Sequence, residues 1–209
     1  MTASWRTEQE AFWSGAFGDD YVDRNQGAAL LASRTHLFSN ALKRAGGVAS
    51  AVEFGPNVGI NLVALRHLMP PIDLAAIEIN AKAVTVLRTL QRVEVYHGSI
   101  LEPHVSKQYE LAFCSGVLIH INPDALPAVY DNLYNASSRL ILVSEYYNPS
   151  PAAIPYRGHQ ERLFKRDFAG EMLDRFPDLR LVDYGFQYHR DPAFPADDVT
   201  WFLMEKAGA

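Results

Sequence analysis

The stretch Val52–Leu62, VEFGPNVGINL, decides the expected fold of this chain. Its first residues continue an apolar run typical of a buried strand, and its last residues begin a helix-like segment. Between them, Gly55 permits a tight turn because it has no Cβ, and Gly59 lets the helix approach the strand or a ligand closely. The stretch therefore predicts a strand, a turn that exposes backbone NH groups, and a helix.

Towards the C-terminus, short apolar runs alternate with helix-like segments, which is typical of βα units that feed a parallel sheet. The apolar runs are Ala51–Phe54, Leu74–Ile79, Val93–His97, Glu110–Ser115 and Arg139–Tyr146. The helices are expected at Ile60–Leu68, Ala81–Leu90, Pro123–Ala136 and Lys165–Arg175. Right-handed crossovers place such helices on both faces of the sheet, and ligands bind at the carboxyl ends of its strands.

The two ends of the chain differ from this pattern. The first stretch contains scattered aromatic residues, and Gln26–Arg44 has the pattern of a helix, so we expect a helical cap over residues 1–45. The last apolar runs, Leu179–His189 and Val199–Lys206, are separated by a proline-rich segment with no room for a crossover helix, which predicts an antiparallel pair. Three prolines in Tyr147–Gly158 predict an ordered, non-helical loop.

Length and composition favour one soluble domain. A chain of 209 residues with 48% hydrophobic residues can fill a single core, with residues 46–209 carrying the sheet and the substrate loops. A formal net charge of −5 gives no general attraction to nucleic acids or anionic membranes, so neither is expected as a partner. The single cysteine, Cys114, fits a reducing compartment, and with no signal-like start or apolar run of about 20 residues a cytoplasmic protein is expected.

An adenosine-type cofactor is indicated by Glu78, which ends the second predicted strand 19 residues after Gly59 (78 − 59 = 19). At that place a carboxylate can accept both ribose hydroxyls, although enzymes that bind NAD share this arrangement. Glu53 within the first motif, HGSI after the third strand and the antiparallel C-terminal pair favour S-adenosylmethionine. The structural alternative is that Gly55 and Gly59 are turn glycines and Glu78 is a solvated acid.

Beyond the fourth strand the sequence resembles a known family. The stretches that carry the resemblance are TEQEAFW (7–13), GVLIHINPDALPAVYDNLY (116–134), SEYYNPSPAAIPYRGH (144–159), LFKRDFAGEMLDRFPDLRLVDYGF (163–186) and DDVTWFLMEK (197–206). They are similar to the methylases associated with pseudaminic acid biosynthesis, and the resemblance covers nearly the whole chain. It implies a Rossmann-like class I methyltransferase fold, with a mostly parallel seven-stranded sheet, an antiparallel C-terminal strand pair and N-terminal helices.

The same resemblance implies the residues that contact S-adenosylmethionine. They are Glu53, Gly55, Asn57 and Gly59 around the methionine part, Glu78 at the ribose, Ser99 and Ile100 at the adenine, Ser115 and Gly116 beside the sulfonium, and Tyr21, Asn61 and Ile79 around them. Two positions depart from the pattern. Asn57 replaces the middle glycine of the acidic-x-Gly-x-Gly-x-Gly motif, and Ser99 stands where many relatives carry an aspartate.

Methyl transfer needs a nucleophile held in line with the methyl group, and a hydroxyl nucleophile also benefits from a general base. The candidate catalytic residues follow the fourth and fifth strands and are His120, Glu145 and Tyr147. His120 and Glu145 have structural alternatives, since each can simply hold its loop through hydrogen bonds. Asp197 and Asp198 are expected to be solvated loop acids, and no metal site is expected because the histidines lack ligand spacing.

The candidate substrate-binding residues are Tyr146, Asn148, Tyr156, Arg157 and His159, of which Arg157 can bind a carboxylate through two hydrogen bonds. The resemblance implies a sugar-type small-molecule substrate, namely a nonulosonic (pseudaminic-type) acid or a related intermediate. Oxygen is preferred over nitrogen as acceptor because Glu145 and His120 are potential bases. Two alternatives stay open: different chemistry on the same cofactor, such as cyclisation that releases methylthioadenosine, or a non-catalytic cofactor-binding partner of a glycosylation complex.

Overall fold

The computed structural model describes residues 5–24 and 27–208. Seven helices lie in these ranges: α1 (Glu8–Ser14), α2 (Ala16–Arg24), α3 (Ala28–Ala41), α4 (Ile60–Leu68), α5 (Ala81–Leu87), α6 (Leu126–Ala136) and α7 (Phe168–Arg175). The described strands are β1 (Ser50–Phe54), β2 (Asp73–Glu78), β3 (Val93–His97), β4 (Tyr109–Ser115), β5 (Ser137–Glu145), β6 (Ala152–Tyr156), β7 (His159–Lys165), β8 (Leu179–Phe186) and β9 (Thr200–Lys206). Two short 3-10 helices cover Leu118–His120 and Pro123–Ala125.

The main sheet has seven strands in the order β3-β2-β1-β4-β5-β9-β8. The first five of these strands are parallel, whereas β9 is antiparallel to both β5 and β8. This arrangement confirms the predicted fold class. The strand order reverses between β1 and β4, so the crevice at their carboxyl ends is the place where this architecture binds ligands.

The sheet is buried on both faces because neighbouring residues of a strand point in opposite directions. Ala51 packs with the core on the side of α3 and α4, and Val52 packs with the core on the side of α6 and α7. Because helices cover both faces of the sheet, β1, β2, β4 and β5 each contain a run of consecutive buried residues. Among the described helices, none is long and apolar enough to cross a membrane.

The largest difference from the sequence prediction concerns Tyr147–Gly158. Part of this stretch forms β6, which pairs with β7 in a two-stranded hairpin. Arg157 and Gly158 are the two turn residues, with φ of 48° and 85°, and positive φ at both places is typical of a type I′ hairpin turn. Because β7 continues to Lys165, the following helix begins only at Phe168, after Asp167 accepts a hydrogen bond from the Gly170 amide.

The N-terminal cap consists of α1, α2 and α3. A capping box starts α1, since the Thr7 hydroxyl accepts from the Glu10 amide and the Glu10 carboxylate accepts from the Thr7 amide. The helix predicted over Gln26–Arg44 ends at Ala41, and its predicted start lies outside the described residues. Helix α2 is tied to the sheet because Asn80, after β2, donates to Asp19 at 2.8 Å.

Candidate active site

A cavity of about 270 Å³ lies at the carboxyl ends of the parallel strands, beneath the N-terminal cap. Its walls come from four places: the turn after β1, the ends of β2 to β5, the cap helices, and the loops before β7 and β9. The residues that line it include Trp13, Tyr21, Arg34, Gly55, Asn57, Asn61, Glu78, Ser99, Ser115, His120, Tyr146, Tyr156, Arg157 and Asp197. The cavity therefore coincides with the topological switch point of the sheet.

The turn after β1 needs left-handed backbone at three positions, with φ of 74° at Gly55, 51° at Asn57 and 80° at Gly59. A Cβ on Gly55 would come within 2.8 Å of the Val117 side chain, and one on Gly59 within 2.8 Å of Leu87. Asparagine tolerates left-handed backbone better than most residues do. The replacement of the middle glycine of the motif by Asn57 is therefore compatible with the turn.

Glu78 joins this turn to the second strand. One carboxylate oxygen accepts from the Asn57 amide at 2.8 Å, and the other accepts from the Asn80 amide at 2.8 Å. Burial raises the pKa of Glu78, while these backbone hydrogen bonds lower it. Each oxygen keeps a lone pair for a further donor, so Glu78 can still bind two hydroxyl groups of a ligand.

Glu53 lies behind the cavity wall and is fully buried. Its Oε1 accepts from the Asn61 side chain at 2.6 Å, whereas Oε2 has no hydrogen-bond partner among the described residues. Burial raises the pKa of Glu53 to about 8, against the hydrogen bond from Asn61 and the charge of Arg34, which lower it. A buried carboxylate oxygen without a partner is costly, so its position calls for a functional reason.

Arg34 of α3 lines the cavity and was not singled out from the sequence. Its Nη1 donates to the Ser115 hydroxyl at 3.5 Å, and its Nε has no partner within the described ranges. Arg34 is the only lysine or arginine of helix α3, AALLASRTHLFSNA, but nothing in that local pattern places it at the cavity. The structure thus adds a guanidinium beside Glu53 and the end of β4.

His120 lines the cavity at the end of the first 3-10 helix. Its Nδ1 lies 2.6 Å from the Arg162 carbonyl oxygen, and because a carbonyl only accepts, Nδ1 carries the proton and Nε2 is an acceptor. Burial lowers the pKa of His120 to about 4. Its ring packs against those of Trp13 and Tyr156, with centroids 4.6 and 4.9 Å away.

Glu145 is not among the described residues that line the cavity, but it binds the backbone just before His120. Its Oε1 accepts from the Val117 amide at 2.9 Å and from the Leu118 amide at 3.0 Å, at the start of the 3-10 helix that carries His120. Burial raises the pKa of Glu145 to about 7, although the backbone hydrogen bonds lower it. Of the two roles left open by the sequence, this geometry favours the one in which Glu145 holds the loop.

The substrate candidates and the remaining catalytic candidate, Tyr147, divide into two groups. Tyr146, Tyr156 and Arg157 line the cavity, but Tyr147, Asn148 and His159 do not. Tyr147 follows Tyr146 in extended chain and therefore points away, packing against Phe202 with ring centroids 5.8 Å apart. Asn148 donates to the Ser150 carbonyl, and His159 packs against Phe12 of the cap at 5.0 Å.

Asp197 is an exposed loop acid, as the sequence predicts, and it also lines the mouth of the cavity. Burial, together with the charge of the nearby Asp197 carboxylate, raises the pKa of Tyr146. Asp198 also extends into solvent, where it pairs with His189 at 2.9 Å. Within the described residues, no cluster of three or more His, Cys, Asp or Glu side chains is arranged to hold a metal ion.

No protein-family model matches the chain, and no curated protein matches it in sequence. Solved structures match its fold. The magnesium protoporphyrin IX methyltransferase of Synechocystis PCC 6803, with bound S-adenosylmethionine, has a TM-score of 0.68 at 12% identity, over 99% of this chain and 100% of that one. The 1,6-didemethyltoxoflavin-N1-methyltransferase of Burkholderia thailandensis, with bound 1,6-didemethyltoxoflavin and S-adenosylhomocysteine, has a TM-score of 0.70 at 15% identity, over 99% of this chain and 93% of that one.

The mitomycin 7-O-methyltransferase gives a TM-score of 0.67 at 15% identity, over 96% of this chain and 61% of that one. The names of these three proteins cover diverse acceptors, and none is a methylase of pseudaminic acid biosynthesis. At such low identity the likeness concerns the fold. The chain therefore has the Rossmann-like fold found in class I S-adenosylmethionine-dependent methyltransferases.

Proposed function

We propose that the protein is an S-adenosylmethionine-dependent methyltransferase that acts on a small molecule. The observation that carries this proposal is the meeting of Glu78 and the Gly55–Gly59 turn at one cavity, joined by the hydrogen bond from Asn57 to Glu78. Proteins of the same fold hold S-adenosylmethionine or S-adenosylhomocysteine. The cavity therefore lies where such a ligand binds in this fold, and it is lined by the Glu78 carboxylate and by residues of the Gly55–Gly59 turn.

The side chains around the cavity fit this cofactor. Glu78 keeps lone pairs for both ribose hydroxyls, and Ser99 with Ile100 stands at the adenine end. At the other end, Glu53 Oε2 and Arg34 Nε are buried without partners among the described residues, and these groups complement the ammonium and carboxylate of a methionine part. A dinucleotide fits less well, because its pyrophosphate needs close backbone approach where Asn57 carries a side chain.

The remaining cofactor candidates are assigned by position. Tyr21, Asn61, Ile79, Ser115 and Gly116 all line the cavity, whereas Gly59 acts behind it by letting α4 approach α5. The cofactor supplies a methyl group on its sulfonium. The residues of this chain bind it, exclude water with the rings of Trp13 and Tyr156, and place the acceptor at the ends of β4 and β5.

We extend the proposal to a nonulosonic (pseudaminic-type) acid or a related sugar intermediate as acceptor, methylated at oxygen. The support is the resemblance of the sequence to methylases of that pathway, together with Arg157 and the hydroxyls of Tyr146 and Tyr156 at the cavity. Arg157 can bind the carboxylate of such an acid through two hydrogen bonds. A net charge of −5 favours a small acceptor over a nucleic acid.

The test is methyl transfer from labelled S-adenosylmethionine to a low-molecular-mass metabolite extract, with the products identified by mass spectrometry. The proposal expects S-adenosylhomocysteine and one labelled acidic sugar, with loss of both in Glu78→Ala. Methylthioadenosine in place of S-adenosylhomocysteine would show a cyclisation chemistry. Cofactor binding without any turnover would show a non-catalytic binding protein, and a labelled product other than a sugar would correct the acceptor class alone.

A further inference from the structure

The loop between β8 and β9 is held against the N-terminal cap, so Asp197 has a defined place. The Ser33 hydroxyl of α3 donates to the Pro195 carbonyl at 2.8 Å. One turn further along α3, the His36 ring stacks on Phe194 with centroids 4.4 Å apart. These contacts hold the loop where Asp197 lines the same cavity as Arg157 of the hairpin turn.

A guanidinium group and tyrosine hydroxyls line the cavity together with Asp197. Tyr146 follows β5 directly, and the nearby Asp197 carboxylate, together with burial, raises the pKa of its hydroxyl. Arg157 interacts electrostatically with Asp197 and Tyr21. Its Nε donates to the Tyr156 hydroxyl at 3.4 Å. A carboxylate and a guanidinium therefore both line the cavity, of which Glu78 and the Gly55–Gly59 turn leave one part to the acceptor.

The other carboxylates of the described cavity wall are already engaged. Glu10 accepts from the Thr7 amide at 2.8 Å and hydroxyl at 3.2 Å, and so closes the cap of its own helix. Glu78 holds two backbone amides on the cofactor side. His120 Nε2 can accept a hydrogen bond, but burial makes protonation of this ring unfavourable. Asp197 lines the cavity and its carboxylate has lone pairs that can accept from a ligand.

We propose that Asp197 is a catalytic residue that receives the proton of the acceptor's nucleophilic hydroxyl or amine, while Arg157 binds an anionic group of the same acceptor. This inference rests on the proposed function. In the step, the acceptor's O–H or N–H bond breaks and its proton passes to Asp197. The electron pair left on the acceptor's oxygen or nitrogen forms the new bond to the methyl carbon. The bond between that carbon and sulfur breaks, and its electron pair stays on sulfur, which becomes a neutral thioether. Water then takes the proton from Asp197.

The test compares Asp197→Asn with Asp198→Asn, a matched control because Asp198 is the adjacent carboxylate and pairs with His189 outside the cavity. Three quantities are measured: S-adenosylhomocysteine affinity by calorimetry, methyl transfer to a saturating metabolite extract, and the titration of Tyr146. The tyrosine signal comes from NMR of ring-labelled protein and is assigned with Tyr146→Phe. The affinity for S-adenosylhomocysteine reports on the cofactor site, and the titration of Tyr146 reports on the interaction of this tyrosine with Asp197.

For Asp197→Asn the inference expects unchanged S-adenosylhomocysteine affinity, a lower Tyr146 pKa and a transfer rate reduced about 10²-fold or more, as for other general bases. Asp198→Asn should keep all three wild-type values. A wild-type rate in Asp197→Asn would overturn the inference and leave the proposed function intact. An equal loss in Asp198→Asn would overturn it too, by showing a general effect of the loop. If the wild-type protein binds no S-adenosylhomocysteine and methylates nothing, the proposed function fails, and the inference fails with it.

Discussion

Replacing Glu53 by glutamine should stabilise the protein while weakening its cofactor site. Glu53 is fully buried, Oε1 is bound to Asn61, and Oε2 has no partner among the described residues. Burial raises its pKa from 4.5 to about 8, so folding at neutral pH forces the carboxylate to take up a proton. A group whose pKa is raised by folding contributes most to stability below its unfolded pKa, and that contribution is lost as the pH rises towards the folded pKa.

The size of the effect follows from the two pKa values. At pH 7 the unfolded carboxylate is ionised and the folded one is mostly protonated, which costs about 3 kcal/mol at 1.36 kcal/mol for each pKa unit. At pH 5 the same comparison gives only about 1 kcal/mol. Glutamine keeps an acceptor for Asn61 and has no proton to take up, and its NH₂ group is as unpaired as the OH of the protonated acid. Glu53→Gln should therefore be more stable than wild type by these amounts.

The assay is urea unfolding of the ligand-free protein at both pH values, with Glu102→Gln as control. Glu102 is half-exposed and, among the residues that the structure describes, pairs with Arg6 at the surface, so its replacement should change stability by less than about 1 kcal/mol. Calorimetry should also show that Glu53→Gln binds S-adenosylhomocysteine about tenfold more weakly, or about 1.4 kcal/mol, because glutamine cannot lose a proton to pair with the ammonium of the ligand. A variant less stable than wild type at pH 7, or one with the wild-type pH dependence, would refute the reasoning.

Three further predictions concern the site. Glu78→Ala should weaken S-adenosylhomocysteine binding by about 1–3 kcal/mol in calorimetry, the usual result of leaving buried donors unpaired, and unchanged affinity would remove Glu78 from the site. Arg157→Lys keeps the charge but loses the planar fork, so steady-state kinetics should give a higher acceptor KM with unaltered cofactor affinity; the reverse pattern would contradict the assignment. Glu145→Gln should keep kcat because glutamine still accepts from the Val117 and Leu118 amides, whereas Glu145→Ala should lower the urea midpoint; a 10²-fold fall of kcat in Glu145→Gln would identify Glu145 as a base.

The parallel part of the sheet could be predicted because its signals are local. Each strand is a short apolar run that ends in a turn, and Gly55 and Gly59 mark a turn whose backbone only a few residue types adopt. The hairpin of β6 and β7 was missed because Pro149 and Pro151 obscured the strand that follows them. Arg157 and Gly158 did contain a turn signal, but it depends on two consecutive residues with positive φ, which an arginine rarely adopts.

The acceptor side of the cavity could be predicted only in part. Tyr146, Tyr156 and Arg157 were found because they lie next to strand ends, where loops bind ligands. Arg34 and Asp197 reach the cavity through long-range packing, and Arg34 meets Ser115 across 81 residues of chain. No local pattern reports such a contact, since it depends on how α3 and the loop before β9 pack together.

The most direct measurement of the central claim is calorimetric titration of the purified protein with S-adenosylhomocysteine and, separately, with NAD. The account predicts one binding site for S-adenosylhomocysteine, weakened in Glu78→Ala and Glu53→Gln, and no measurable heat with NAD. Binding of NAD without binding of S-adenosylhomocysteine would contradict the cofactor assignment. Absence of binding by both ligands to the folded protein would contradict the proposal that this cavity holds an adenosine cofactor.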